Sequence, residues 1–150
     1  MEPLKAVKLI VIHCADTKIS MNVTVSDLHQ WHVVENGWDE IGYHYYIKFD
    51  GTVHNCRDTQ YAGAHCKSVN DISLAICLEG GYGGGDNFTD LQKESLSYLI
   101  NKIKADHPNA AVIGHNSIDD KACPSFDVVK WYEDNVELSG LINAMGGLHE

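Results

Sequence analysis

Two short segments, Leu9-Ile10-Val11-Ile12-His13 and Ser73-Leu74-Ala75-Ile76-Cys77-Leu78, carry apolar side chains at nearly every position. A strand with one wet face alternates between apolar and polar residues, whereas unbroken runs of this kind suit strands covered on both faces. The first run ends on a histidine. A chain built on such strands needs helices to cover them, and the remaining sequence supplies the signals. Asn22 to Ser26 offers several N-caps, Leu28, Trp31 and His32 recur at i, i+3 and i+4, and Asn36-Gly37 is a stop, so a helix is predicted from Val25 to Gly37. Thr89-Asp90-Leu91-Gln92 has the form of a capping box. It opens a helix reaching about Ala105, with Leu91, Leu96, Leu99, Ile100 and Ile103 as apolar positions and Pro108 beyond its end. Asp127 is placed to cap a last helix through Tyr132 and beyond.

Between these segments, His44 to Phe49, Asp50-Gly51 and Thr52 to Asn55 read as a β-hairpin with a tight turn. Ala111 to Gly114 is a further short strand that leads into His115. Glu79 to Asn87 reads as a flexible glycine-rich loop whose spacing matches no phosphate-binding pattern, with Glu79 facing the loop. From Ser139 onward the chain is weakly patterned, with a short helical turn expected at 141–145. The predicted fold class is mixed α/β: a single domain over residues 1–150, with a central mixed β-sheet flanked by helices. Its core runs from about 7 to 134, and 135–150 form a C-terminal tail.

Charge narrows the partners. Net charge is −10, from 21 acidic against 11 basic side chains, and Arg57 is the single arginine. Phosphate neutralisation needs clustered Lys and Arg, so nucleic acid is not expected as a partner. No run of 18 apolar residues occurs, so no membrane insertion is expected. The mixed-charge N-terminus lacks the layout of a signal peptide, which predicts synthesis in the cytoplasm. The five cysteines, Cys14, Cys56, Cys66, Cys77 and Cys123, include no CxxC pair, and reduced thiols are the expectation. Cys77 reads as a small core residue, and whether Cys56 and Cys66 approach one another is open.

The chemistry concentrates in Gly114-His115-Asn116-Ser117-Ile118-Asp119-Asp120-Lys121-Ala122-Cys123-Pro124. His115 and Cys123 are natural zinc ligands, and Lys121 adds a positive charge beside them. With His13 they make three ligands, one short of a tetrahedron, as in a catalytic zinc site whose fourth position holds water. The plainer alternative is a strand-end histidine with a backbone partner and an inert buried thiol. Nine histidines in the chain make accidental spacings easy. Asp119-Asp120 reads as a solvated loop that balances Lys121. Trp31, Trp38 and Trp131 read as core or groove-wall residues. His29, His32 and His54 read as surface or hydrogen-bonded histidines, and His44 as support for the site or packing within its strand.

A series of short motifs sharpens this. His13-Cys14-Ala15, Gln30-Trp31-His32, Gly37-Trp38, Gly42-Tyr43-His44, Asp50-Gly51-Thr52-Val53 and Lys121-Ala122-Cys123-Pro124-Ser125-Phe126-Asp127 occur in one order. Together they resemble the zinc-dependent N-acetylmuramoyl-L-alanine amidases of the type 2 family, nearest to its small phage lysozymes. Those share the fold of animal peptidoglycan recognition proteins. The resemblance spans about residues 7 to 134. It implies that His13, His115 and Cys123 hold zinc (Zn2+), that Tyr43 and Lys121 are catalytic, and that His65 lines the substrate groove. Cys77 stands where one branch of the family has a catalytic glutamate, and the phage branch has cysteine there. The implied activity is hydrolysis of the bond between N-acetylmuramic acid and L-alanine, with peptidoglycan or muropeptide as substrate and the enzyme a monomer. The wall would be met after lysis or export by another route, in a phage endolysin, a delivered effector or a recycling enzyme. Two other readings are a muropeptide-binding module that does not cut and a regulatory partner protein. Non-cutting relatives typically lack the cysteine ligand that Cys123 matches.

Overall fold

The computed structural model describes residues 1–137. Its strands are β1 (Leu9–Cys14), β2 (Tyr45–Ile47), β3 (Val53–Asn55), β4 (Ser73–Leu78) and β5 (Ala111–Gly114). They form one sheet in the order β3-β2-β4-β1-β5. β1 runs parallel to both β4 and β5, β4 runs parallel to β2, and β3 pairs antiparallel with β2. The sheet is therefore mixed, as expected. Every residue of β4 is buried, and so are the last five of β1.

Alternation along the strands sorts side chains between two faces. Ile10, Ile12, Ile47, Leu74, Ile76 and Leu78 form one cluster with Leu96, Leu99, Ile100 and Ile103 of α2 (Asp90–Asp106). Tyr46 and Cys77 join Val23, Leu28 and Ile41 in the other. Helix α2 starts as its capping box predicts, with Thr89 and Gln92 bonding reciprocally. Leu91 departs from expectation and is 56% exposed. The buried stripe runs through Gln92, Leu96, Leu99 and Ile103, and Leu91 lies one residue, about 100° of helix rotation, to its side. Gln92 is on the stripe because its amide donates to the carbonyls of Ile47 (3.1 Å) and Glu79 (2.8 Å).

The helix predicted from Val25 begins there, capped by Thr24, whose hydroxyl accepts from Asp27 N–H. It is α-helical only over α1 (Val25–His29) and continues as a π-helix over Gln30–Glu35. The Asn36 N–H reaches back to the Trp31 carbonyl (3.1 Å), which widens the turn that carries His32. His32 accepts from Gly42 N–H at 2.9 Å. The last helix, α3 (Val128–Trp131), is capped by Asp127 as predicted and also passes into a π-helix, Tyr132–Glu137. The hairpin is shorter than predicted, with three paired positions between β2 and β3.

The glycine-rich segment is a tethered loop instead of a flexible one. Gly80 N–H donates to Thr17 Oγ1, Gly81 N–H to Asn87 Oδ1 and Gly83 N–H to Asp16 Oδ1. Gly81 is at φ +78°, and a Cβ there would lie 2.6 Å from Cys14 Sγ. Glu79 does not face that loop. Its buried carboxylate accepts from the N–H groups of Val23 and Phe49, each at 2.9 Å, with Lys48 Nζ 3.5 Å away. The weakly patterned tail and its turn at 141–145 lie outside the described residues. Among the described residues, no helix is long and apolar enough to cross a membrane.

Candidate active site

β1 and β5 are parallel neighbours, so their C-terminal ends lie side by side, the place where open α/β sheets gather site residues. His13 stands near the end of β1, in register with Cys77 of β4. His115 follows β5 directly, and the two imidazole rings lie 4.7 Å apart. The loop after His115 returns to the site because Asn116 N–H donates to the Cys123 carbonyl at 2.7 Å. That places Cys123 Sγ 3.2 Å from Cys14 N and 3.9 Å from His13 Nδ1. One donor atom from each of His13, His115 and Cys123 lies within 4.8 Å of the others, so the trio could hold a metal ion.

The hydrogen bonds around the imidazoles decide which nitrogens are free. Ser73 Oγ donates to the Val69 carbonyl (2.7 Å), so it accepts from His65 Nε2–H (3.0 Å). His65 Nδ1 is then an acceptor, and it takes the proton of His13 Nε2 at 2.7 Å. The lone pair of His13 is left on Nδ1, the nitrogen that faces Cys123. On the other ring, Asp119 Oδ2 accepts from His115 Nε2 at 2.7 Å, so in the neutral ring the lone pair is on Nδ1. Both rings therefore have one nitrogen held by an outer partner and one with a free lone pair, the usual arrangement of metal-binding histidines.

Electrostatics agree with neutral imidazoles at His13 and His65. Burial pushes His13 well below its ordinary value, and the neighbouring His65, His115 and Lys121 add to the shift. Burial also pushes His65 down to about 3. The bond to His115 lowers the Asp119 carboxyl. Cys14 and Cys123 share a hydrogen bond that lowers Cys14 to about 7 and raises Cys123, whose burial adds to the rise. A bound cation acts on Cys123 in the opposite sense.

Tyr43 is half-buried, its ring 5.2 Å from that of His13. Its hydroxyl is hydrogen-bonded with the Cys77 thiol, and burial, then the cysteines around it, keep it protonated far above its ordinary range. Lys121 is exposed at the rim. A groove of about 690 Å³ reaches the trio at His115, its wall including Trp38, His65, Asp119 and Lys121. A second hollow, also of about 690 Å³, shares Trp38, Ala64, Lys67 and Asn70 with it and extends toward Arg57 and Asp71.

The structure thus gathers His13, Tyr43, His65, His115 and Cys123 at the ends of the strands, with Lys121 on the adjoining groove wall, and it adds Asp119 and Ser73. Asp119 is not simply a solvated balance to Lys121, because its carboxylate is engaged by His115. A carboxylate four residues after a histidine was a visible signal for that pair, whereas nothing in the spacing marks Ser73. His44 is structural: its Nε2 bonds the Tyr61 carbonyl (2.8 Å) and its Nδ1 accepts from Ala75 N–H (3.0 Å). Arg57 is structural too, with its guanidinium spent on the carbonyls of Ile41, Ala62 and Glu40. All five cysteines are free, so Cys56 and Cys66 do not pair.

Comparison with known proteins agrees with this geometry. The family profile described as N-acetylmuramoyl-L-alanine amidase matches residues 3–126. The endolysin of Escherichia phage T7 is 44% identical over 130 residues, which cover 84% of this chain and 85% of the relative. Among solved structures, the N-acetylmuramoyl-L-alanine amidase LysC from Clostridium intestinale URNW superposes with a TM-score of 0.74 at 26% identity, covering 89% of this chain and 85% of that one. Bumblebee PGRP-SA shares the fold, with a TM-score of 0.79 at 24% identity over 91% of this chain and 87% of that one. Family match, close relatives and fold all point one way, and the chain belongs to the N-acetylmuramoyl-L-alanine amidase family.

Proposed function

We propose that this chain hydrolyses the amide bond between N-acetylmuramic acid and L-alanine in peptidoglycan, using zinc held by His13, His115 and Cys123. The observation that carries this reading is the convergence of two imidazoles and one thiol, each imidazole with its second nitrogen already engaged. Two neutral nitrogens and one sulfur suit zinc and leave one tetrahedral position open for catalysis. Zinc bound there supplies Lewis acidity toward the amide carbonyl and acidifies a water.

The chain's own residues supply the rest. His65 and Asp119 orient the two imidazoles. His65 has both nitrogens taken, so it meets a substrate in the groove with its ring and not with a free donor. Lys121 stands at the rim and offers its ammonium to the oxygen that turns anionic in the transition state. Tyr43 keeps its proton, and with its ring beside His13 it is the donor we assign to that oxygen or to the leaving amine of alanine. The groove past Trp38 takes the stem peptide. Relatives named as endolysins support a wall-lytic setting, and we take the working form to be a monomer.

The test uses purified zinc-loaded protein on isolated peptidoglycan, with a chelated control. Mass spectrometry should find stem peptides with a new alanine N-terminus that vanish on chelation. Absence of cleavage by protein containing stoichiometric zinc would reject hydrolysis and leave muropeptide binding.

A further inference from the structure

We propose a second metal site on the groove wall, formed by Cys66, Asp119 and the Nε2 side of His115, that takes a thiophilic divalent cation and inhibits the enzyme when filled. It goes beyond the amidase reading but borrows one residue from it, because the two nitrogens of His115 face two different clusters. One donor atom each from Cys66, His115 and Asp119 lies within 4.8 Å of the others. Asp119 Oδ2 is the hub, 2.7 Å from His115 Nε2 and 3.6 Å from Cys66 Sγ. Ser68 Oγ adds a neutral oxygen 3.7 Å from the sulfur.

The cluster is held in place. The N–H groups of Cys66 and His65 both donate to Asn70 Oδ1, at 2.8 and 2.9 Å, which fixes the turn carrying the thiol. Cys66 is 6% exposed and His115 7%. Asp119 is on the solvent side, and all three residues border the same groove. A cation would thus enter from the groove, lie against buried sulfur and nitrogen, and be closed off by a carboxylate.

Sulfur, imidazole and carboxylate together select zinc or cadmium over magnesium or calcium, which require oxygen-rich shells. With His115 Nδ1 already on the first metal, binding would release two protons, one from the Cys66 thiol and one from His115 Nε2, leaving that ring an imidazolate. The second is the proton that Asp119 now accepts, so filling this site breaks the Asp119–His115 bond. It also sets a divalent charge on the wall near Lys121. Both changes act against the neighbouring hydrolytic centre, and an excess of the activating metal is therefore inhibitory. In sequence, Cys66 and Asp119 stand 53 positions apart, which hides the pairing from any local motif.

The experiment titrates metal-free protein with zinc by calorimetry, and with cadmium while following the ultraviolet thiolate-to-metal band. Wild type should take two equivalents, the second weaker, with activity rising over the first and falling over the second. Cys66→Ser and Asp119→Asn should each weaken the second event roughly 10–100-fold and abolish the fall at excess zinc, each variant compared with its own activity at one equivalent. The Asn amide oxygen can still accept from His115, so Asp119→Asn separates ligation from support of the ring. Cys123→Ser should lose the first event and keep the second, which separates failure of the amidase centre from failure of this one. Saturation of wild type at one equivalent overturns the proposal, as does a second equivalent that persists unchanged in both Cys66→Ser and Asp119→Asn.

Discussion

His65 and Asp119 perform the same service for different rings: each holds one nitrogen so that the other keeps a lone pair. Removing such an outer partner leaves the ligands present but unoriented. His65→Ala should therefore lower zinc affinity about 10–100-fold while the folded structure persists, measured by competition with a chromogenic chelator. Lys121 has the opposite profile, since it is exposed on the groove wall and is not among the ligands proposed for the hydrolytic zinc. Lys121→Ala should retain full zinc and lose about 10²–10³-fold in kcat, as removal of one anion-stabilising donor does. Full activity in that variant would end the assignment of Lys121. The three proposed ligands stood out in the sequence because each adjoins a recognisable word, an apolar strand or a Lys-x-Cys-Pro sequence. Their partners were less legible. One-letter codes do not say which ring nitrogen carries the proton, and the His65–Ser73 and His13–His65 contacts join segments that only the folded sheet brings together.

At the scale of elements, the continuous apolar runs announced β1 and β4, and the Thr-x-x-Gln box announced α2, because those signals depend on local spacing alone. The π-turns and the burial of Glu79 depend on tertiary partners. Glu79 follows β4 and binds two backbone N–H groups from separate segments, at Val23 and Phe49. Glu79→Ala strands both donors, together with Lys48, and should cost about 3–5 kcal/mol in urea unfolding. His44 clamps β4 to the segment around Tyr61 in one tautomer. Burial lowers its pKa, so below the unfolded-state value of 6.5 the unfolded chain binds more protons than the folded one. Stability should accordingly fall as pH drops below 6.5, by up to about 1.4 kcal/mol per pH unit for each such histidine. His44→Gln should remove one proton's share of that slope, read from urea midpoints between neutral and mildly acidic pH.

For the molecule as a whole, the question is whether the metal builds the fold or merely occupies it. Small metallodomains that lack a core are unfolded without their ion. Here two apolar clusters cover opposite faces of the sheet, and none of the three proposed ligands belongs to either of them. The ligands lie at strand ends and in one loop, and the hydrogen bonds that orient them are made by protein atoms alone. The metal-free chain should therefore keep its secondary structure by far-ultraviolet circular dichroism and unfold cooperatively. Zinc should add the stability that any ligand of the folded state adds, about 2.7 kcal/mol at 100 times its Kd, or roughly 5–10 °C in Tm for a chain of this size. Cys123→Ser should lose the share of that gain due to the hydrolytic centre, so one equivalent of zinc should raise its Tm less than it raises that of the wild type. If chelation instead abolished the circular dichroism of the sheet, the ion would be part of the core, and the separation of scaffold from catalytic centre argued from these clusters would be wrong.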